Sequence, residues 1–149
     1  MKRLPALVCV MLLFSAMAAQ GQTAAEMESL LNAGEITCAQ AAYFVLAAAM
    51  EDPPRNPEAA FAMAIEQGCL PAKFESNGSI TMGGFSLLLM KALDIKGGLL
   101  YRIFPVGRYA FREMTGRGFI EGRSYSTLTV SGEQFLRILE NVLDKREAE

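Results

Sequence analysis

The sequence predicts an all-α protein made of three helix–loop–helix units. Three observations support this fold class: an internal repeat at an offset of 50 residues, three helix-start signals, and an apolar helical stripe after each signal. The chain has 149 residues, of which 52% are hydrophobic and 20% are charged. This length and composition indicate one folded domain rather than a disordered chain. The units span about residues 24–50, 57–95 and 107–145.

The N-terminal segment has the pattern of a secretory signal peptide, which we assign to residues 1–21. Two basic residues precede an apolar run over residues 4–14, and small residues suited to cleavage follow at 16–18 and 19–21. The run is too short to cross about 30 Å of hydrocarbon. We therefore expect an exported chain, in the periplasm or at the cell-envelope surface, with a single domain over residues 22–149 and no membrane span.

The second and third units align without a gap at the offset of 50 residues, with 8 identities in 39 positions. The identical residues of the second unit are Ala60, Phe61, Gly68, Ser76, Phe85, Leu89, Leu93 and Asp94. Each unit begins with a short predicted helix, which ends at Gly68 in the second unit and at Gly118 in the third, as is typical of a C-terminal glycine cap. The first unit lacks a ten-residue loop, and its short helix is predicted over residues 24–33, ended by Gly34.

A longer apolar helix follows in each unit after a start signal. Thr37-Cys38-Ala39-Gln40 and Ser131-Gly132-Glu133-Gln134 are capping boxes, in which hydroxyl and amide side chains satisfy free backbone N–H groups. Thr81-Met82-Gly83-Gly84 keeps the hydroxyl and loses the Gln. The apolar stripes are Ala41, Phe44, Val45, Ala48 and Ala49; Phe85, Leu88, Leu89, Ala92 and Leu93; and Phe135, Ile138, Leu139, Val142 and Leu143. These three helices are the predicted core, with Phe85, Leu89, Phe135 and Leu139 buried.

Two linkers separate the units. Residues 51–56 contain two prolines and cannot continue a helix. The second linker begins with Lys96-Gly97-Gly98 and continues as the apolar run Leu99–Val106. That run is extended in character and is compatible with either a short strand or a buried connector.

The three start signals together resemble the S-layer homology domain family. The residues that carry the resemblance are Ile36-Thr37-Cys38-Ala39-Gln40, Ile80-Thr81-Met82-Gly83-Gly84-Phe85 and Val130-Ser131-Gly132-Glu133-Gln134-Phe135. They are similar to the family's core-helix motif, a hydrophobic residue followed by Thr-Arg-Ala-Glu. The resemblance implies that the three units pack as a pseudo-three-fold bundle, with one core helix from each unit at its centre. It also implies a cell-envelope setting.

The chain departs from the family at the motif arginine that helps to bind cell-wall polymers. Cys38, Met82 and Gly132 occupy the three positions, and none of them forms a bidentate contact with a carboxylate or phosphate. The resemblance therefore implies the fold and the envelope setting, but not the family's arginine-based binding of wall polymers.

Composition excludes several classes of function. Histidine is absent, which removes the commonest general acid/base and zinc ligand, together with every Ser-His or Cys-His pair. The net charge is −2, which argues against binding dominated by nucleic-acid phosphates. We expect no catalytic activity, no cofactor, no metal and no nucleic-acid partner.

Charge is unevenly distributed along the mature chain. Residues 22–95 carry 3 Lys/Arg against 9 Asp/Glu, whereas residues 96–149 carry 9 against 7. The candidate ligand-binding residues are Arg108, Arg112, Arg117 and Arg123. They form either an anion-binding face, converging at a groove between units, or a solvated face that balances the acidic half.

Two functions follow from these observations. One is a non-catalytic binding module for a cell-wall glycan or another envelope component, with Arg108 to Arg123 as its anion site. The other is a small structural or protein-interaction subunit of the envelope, which an exposed apolar patch around Leu99–Val106 would favour.

The mature chain keeps Cys38 and Cys69, for which an oxidising compartment permits a disulfide; the other interpretation is two small buried thiols.

Overall fold

Seven helices account for the regular structure of residues 24–148, the part of the chain that the computed structural model describes. They are α1 (24–31), α2 (Cys38–Ala49), α3 (Pro57–Glu66), α4 (Met82–Ala92), α5 (Leu99–Ile103), α6 (Gly107–Gly116) and α7 (Gly132–Glu147). This part of the chain contains no strand, so the predicted all-α class is confirmed. The predicted signal peptide lies outside the described residues.

The offset of 50 residues recurs in the helix bounds. Helices α3 and α6 begin 50 residues apart and end 50 residues apart, and α4 and α7 also begin 50 residues apart. The residues after α3 and α6 turn through Gly68 and Gly118, whose φ angles of 71° and 74° lie in the left-handed region that glycine favours. The first unit differs, because α1 ends at residue 31 rather than at Gly34.

The predicted capping boxes are confirmed at α2 and α7. The Thr37 hydroxyl accepts from the backbone N–H of Gln40, and the Gln40 side chain accepts from the N–H of Thr37 at 3.1 Å. Ser131 and Gln134 make the same reciprocal pair. At α4 only half of the capping box exists. The Thr81 hydroxyl accepts from the backbone N–H of Gly84, but glycine has no side chain to return a hydrogen bond.

A closed ring of backbone hydrogen bonds joins the three units. Ile36 N–H donates to the Val130 carbonyl at 2.9 Å, and Val130 N–H donates to the Ile80 carbonyl at 3.2 Å. Ile80 N–H completes the ring by donating to the Ile36 carbonyl at 2.8 Å. These are the apolar residues that precede the three start signals, and all three are fully buried. The ring therefore satisfies polar backbone groups at a place that water does not reach.

Each long helix also receives backbone hydrogen-bond acceptors from another unit. Cys38 N–H donates to the Gly78 carbonyl at 2.8 Å, and Met82 N–H donates to the Leu128 carbonyl at 2.7 Å. At α7 the donor is Gly132 and the acceptor is the Ala33 carbonyl in the shortened loop of the first unit. The free N–H groups that open a helix are thus satisfied between units, which fixes how the units dock.

An acidic side chain lies beside the ring. The Glu35 carboxylate accepts a hydrogen bond from the Ser79 hydroxyl at 2.5 Å and another from the Thr129 hydroxyl at 3.0 Å. These residues immediately precede the three ring residues. The two hydroxyl donors stabilise the charged carboxylate and hold the pKa of Glu35 below its usual range.

The core lies between α2, α4 and α7. The ring of Phe85 stacks on that of Phe135 with centroids 4.7 Å apart, and Phe44 meets Phe135 edge-on at 6.2 Å. Phe85, Leu89, Phe135 and Leu139 are all buried, as predicted. Around this core, α3 packs on α2 and α6 packs on α4, so a short helix covers the long helix of the preceding unit.

The run Leu99–Val106 is neither a strand nor a buried connector. Its first five residues form α5, and only Tyr101 among them is buried. A strand needs a hydrogen-bonding partner, and no strand in residues 24–148 supplies one. The backbone therefore satisfies itself in a short helix, whose Phe104 N–H donates to the Leu100 carbonyl at 2.9 Å.

Candidate functional site

A groove of about 920 Å³ lies between the second and third units, and we call it the inter-unit groove. One wall is the loop after α3, and the opposite wall is the segment that opens α6. The first turns of α4 form the floor. The lining residues used below are Lys73, Phe74, Gly83, Gly84, Lys91, Gly107 and Arg108.

The groove lies beside the position at which α4 lacks the third-position glutamine of the other two long helices. Gln134 closes a capping box on α7, and the hollow beside it is only about 80 Å³. The equivalent position on α4 is Gly84. A Cβ built there would lie 2.9 Å from Cζ of Phe74, so that ring occupies part of the space a glutamine would take.

Two further glycines bring the backbones of α4 and α6 together at the floor. A Cβ on Gly107 would lie 2.9 Å from the carbonyl carbon and oxygen of Gly83. A Cβ on Gly83 would lie 3.0 Å from the Ser126 carbonyl oxygen, which already accepts from the N–H of Gly83 at 2.8 Å. Side chains at either position would push the two helices apart, so this contact requires glycine.

The groove is lined by three cationic side chains, those of Lys73, Lys91 and Arg108. No Asp or Glu within residues 24–148 lines it. Lys91 Nζ donates to the Gly68 carbonyl at 2.8 Å, which fixes this ammonium at the end of α3. Lys73 lies on the facing loop, with Nζ 5.9 Å from the centroid of the Phe74 ring. Arg108 is exposed on the first turn of α6. A cavity wall of one charge sign attracts ligands of the opposite sign.

The rest of the lining is apolar and hydroxylic. Phe74, Leu87 and Val106 offer apolar faces, while Thr81 and Ser126 offer hydroxyls. This combination can hold a ring with one apolar face and an attached carboxylate or phosphate.

The four predicted arginines do not converge at one groove. Arg108 lines the inter-unit groove, whereas Arg112 and Arg117 share a separate hollow beside α5, and Arg123 lines the small hollow beside Gln134. The predicted convergence is therefore wrong. Arg117 lies nine positions after Arg108, which corresponds to about 13 Å along an α-helix.

Arg117 is already engaged with the protein. It forms an ion pair with Glu113 at 3.6 Å, and its guanidinium donates to the Lys96 carbonyl oxygen. These contacts tie the end of α6 to the linker before α5. Sequence reasoning missed Lys73 and Lys91, because both stand apart in the acidic half of the chain and no local pattern marks them.

Cys38 and Cys69 are separate buried thiols in the structure, so the permitted disulfide is not formed. Burial raises the pKa of Cys38 to about 11. Burial also raises the pKa of Cys69, and the nearby Lys91 ammonium offsets part of that rise. Within residues 24–148, no three His, Cys, Asp or Glu side chains are grouped closely enough to hold a metal ion.

No protein-family model matches the chain, and no curated protein or solved structure matches it either. The resemblance to the S-layer homology family consequently rests on the motif residues quoted above. No helix within residues 24–148 has the length and apolar character needed to cross a bilayer.

Proposed function

We propose that this chain is an exported, non-catalytic module of the cell envelope that binds an anionic glycan in the inter-unit groove. The observation that carries the proposal is the set of Lys73, Lys91 and Arg108 along a groove of about 920 Å³, which no acidic residue within 24–148 lines. The charge favours a carboxylate or phosphate on the glycan. The apolar faces and hydroxyls suit the sugar itself.

The proposed architecture is a pseudo-three-fold bundle of the three units. Its support is the cyclic hydrogen bonding of Ile36, Ile80 and Val130, together with the repeated use of one unit's loop to cap the long helix of the unit before it in cyclic order. In this arrangement grooves lie between units.

The proposed binding mode differs from that of the resembled family. The positions of the family's motif arginine are Cys38, Met82 and Gly132, and all three are buried here. Cations from the loop after α3, from α4 and from α6 would take over the contact with the polymer. The chain would thus keep an envelope-binding role with a different set of positive charges.

Cosedimentation with purified peptidoglycan tests the proposal. Wild-type protein is compared with Lys73→Gln/Arg108→Gln and with the control Arg55→Gln/Arg146→Gln, which removes the same charge elsewhere on the surface. We expect the groove variant to bind about tenfold more weakly, since charged hydrogen bonds contribute about 1.5–3 kcal/mol each before screening. The control should bind like wild type at the same salt concentration.

The polymer itself provides a second arm of the experiment. Peptidoglycan stripped of its phosphate-bearing polymers is compared with the untreated material, and the phosphate-dependent share of binding should weaken as salt is raised. Equal binding by the groove variant and wild type would overturn the proposal. A structural or protein-interaction subunit would then be the better description, and a pull-down from periplasmic extract would be the next measurement.

A further inference from the structure

A second surface is formed around α5 by residues 95–112, and it adjoins the inter-unit groove, with which it shares Val106 and Arg108. Five of its large apolar side chains are exposed: Leu99, Leu100, Ile103, Phe104 and Val106. Their exposed fractions run from 45% to 71%, so the segment projects from the domain instead of covering its core. We call it the α5 surface. Adjacent exposed side chains of this size mark a contact site more often than a solvated face.

The domain holds this segment in place from beneath. Tyr101 is the buried residue of α5, and its ring lies so close to Gly97 that a Cβ there would overlap it. The ring of Phe104 packs against that of Tyr109 with centroids 6.2 Å apart. The apolar side chains are therefore displayed by an anchored segment.

The charge of the α5 surface has one sign. Lys96, Arg102, Arg108 and Arg112 lie within residues 95–112, and that segment contains no Asp or Glu. All four cations are exposed. The exposed Asp94 precedes the segment, and Glu113, which follows it, is paired with Arg117 at 3.6 Å, so the four cations outnumber the unpaired acidic neighbour and the surface is net positive.

We propose that the α5 surface docks on a lipid bilayer that carries anionic headgroups. Leu99, Ile103 and Phe104 enter the boundary between headgroups and acyl chains, and the surrounding cations contact lipid phosphates. A bilayer accepts a projecting apolar segment without needing a matching cavity. A second copy of this chain fits less well, because two α5 surfaces meeting face to face would oppose four cations with four cations.

Fluorescence gives a direct readout because the chain contains no tryptophan. Phe104→Trp places a single probe on the α5 surface, and Tyr125→Trp places one at a site 69% exposed on the loop of the third unit. The protein is purified after export, so that all variants share one N-terminus. We expect a blue shift of Phe104→Trp emission with vesicles of phosphatidylcholine and phosphatidylglycerol, and no shift with pure phosphatidylcholine. Tyr125→Trp should not shift with either.

Cosedimentation with the same vesicles separates the apolar and ionic contributions. Leu99→Ser/Ile103→Ser should bind at least tenfold more weakly, whereas Leu31→Ser/Leu128→Ser, which alters exposed leucines elsewhere, should bind like wild type. Arg102→Gln/Arg112→Gln should bind about thirtyfold more weakly, since each of the two basic residues contributes about 1 kcal/mol near an anionic surface. Its matched control is Arg55→Gln/Arg146→Gln. Arg108 stays unchanged because it also lines the inter-unit groove.

Vesicle binding that the α5 variants do not weaken, or the absence of a Phe104→Trp shift, would overturn the proposal. Sedimentation velocity tests the alternative occupant, a second copy of this chain. Wild-type protein that self-associates, and that Leu99→Ser/Ile103→Ser renders monomeric, would identify the α5 surface as an interface between copies. Lys73→Gln should leave vesicle binding intact, so failure here and failure of glycan binding are separate results.

Discussion

The N–H of Gly132 donates to the carbonyl oxygen of Ala33 at 2.9 Å, joining the start of α7 to the loop after α1 in the first unit. The approach leaves no room for a side chain. A Cβ on Gly132 would overlap the Leu30 carbonyl oxygen, which is backbone and cannot rotate away. The packing of the start of α7 against the first unit's loop thus requires glycine at position 132.

We predict that Gly132→Ala destabilises the domain by about 1–3 kcal/mol or more, the range for overpacking in a filled interior. Gly116→Ala is the control, since a Cβ there meets nothing within 4 Å. Alanine in place of a helical glycine should stabilise that variant by about 0.5–1 kcal/mol. Urea unfolding followed by circular dichroism measures both values, and an unchanged midpoint for Gly132→Ala would contradict the packing described at α7.

A second prediction concerns the opening of the inter-unit groove. Gly84→Gln should complete the capping box with Thr81, displace the Phe74 ring and fill the groove. We expect stability to be retained, because the gain in helix propensity and capping, about 1 kcal/mol, offsets the displacement of one ring. Glycan binding should fall by tenfold or more. Gly116→Gln makes the same chemical change where space is open, and it should bind like wild type in the same cosedimentation assay.

The pH dependence of stability should have a contribution from Glu35. Its folded pKa is lowered from the ordinary value of 4.5 by the hydroxyls of Ser79 and Thr129. The contribution is therefore fully present above pH 4.5 and is lost as the pH falls through the lower folded pKa. Glu35→Gln should be less stable than wild type at neutral pH, and the difference should shrink in acid. Urea midpoints between pH 7 and pH 3 test this, with Glu51→Gln as an exposed control whose difference from wild type should stay constant.

The thiols should be unreactive while the domain is folded. Cys38 and Cys69 are buried, and the raised pKa values keep both protonated near neutral pH. Ellman's reagent should detect neither thiol in native processed protein and both after denaturation in guanidinium. Detection of none after denaturation would mean that the two cysteines pair in the exported protein, contrary to the separate thiols described here.

The helices were predictable because their signals are local. A hydroxyl with a glutamine three residues on marks the starts of α2 and α7, and glycine marks the ends of α3 and α6. The segment Leu99–Val106 was not predictable in this way. Its composition suits a strand, but whether a strand forms depends on a partner elsewhere in the fold, which no local pattern reveals.

The candidate site was predictable only in part, because it forms between units. Arg108 could be identified from charge clustering along the chain. Lys73 and Lys91 stand apart in an acidic half, and they meet Arg108 only because α6 packs on α4. The tertiary packing also separates Arg108 from Arg123, since the two residues line different hollows of the folded domain.

The ring of Ile36, Ile80 and Val130 joins the first unit to the third as directly as it joins neighbours along the chain. An open row of repeats frays from its terminal members, because each of these has a single neighbour. Here each of the three units is hydrogen-bonded to both of the others, so none of them is a terminal unit from which local unfolding would start. The amide protons of these three residues are accordingly expected among the slowest to exchange with solvent, released only when the whole domain opens in a single cooperative event.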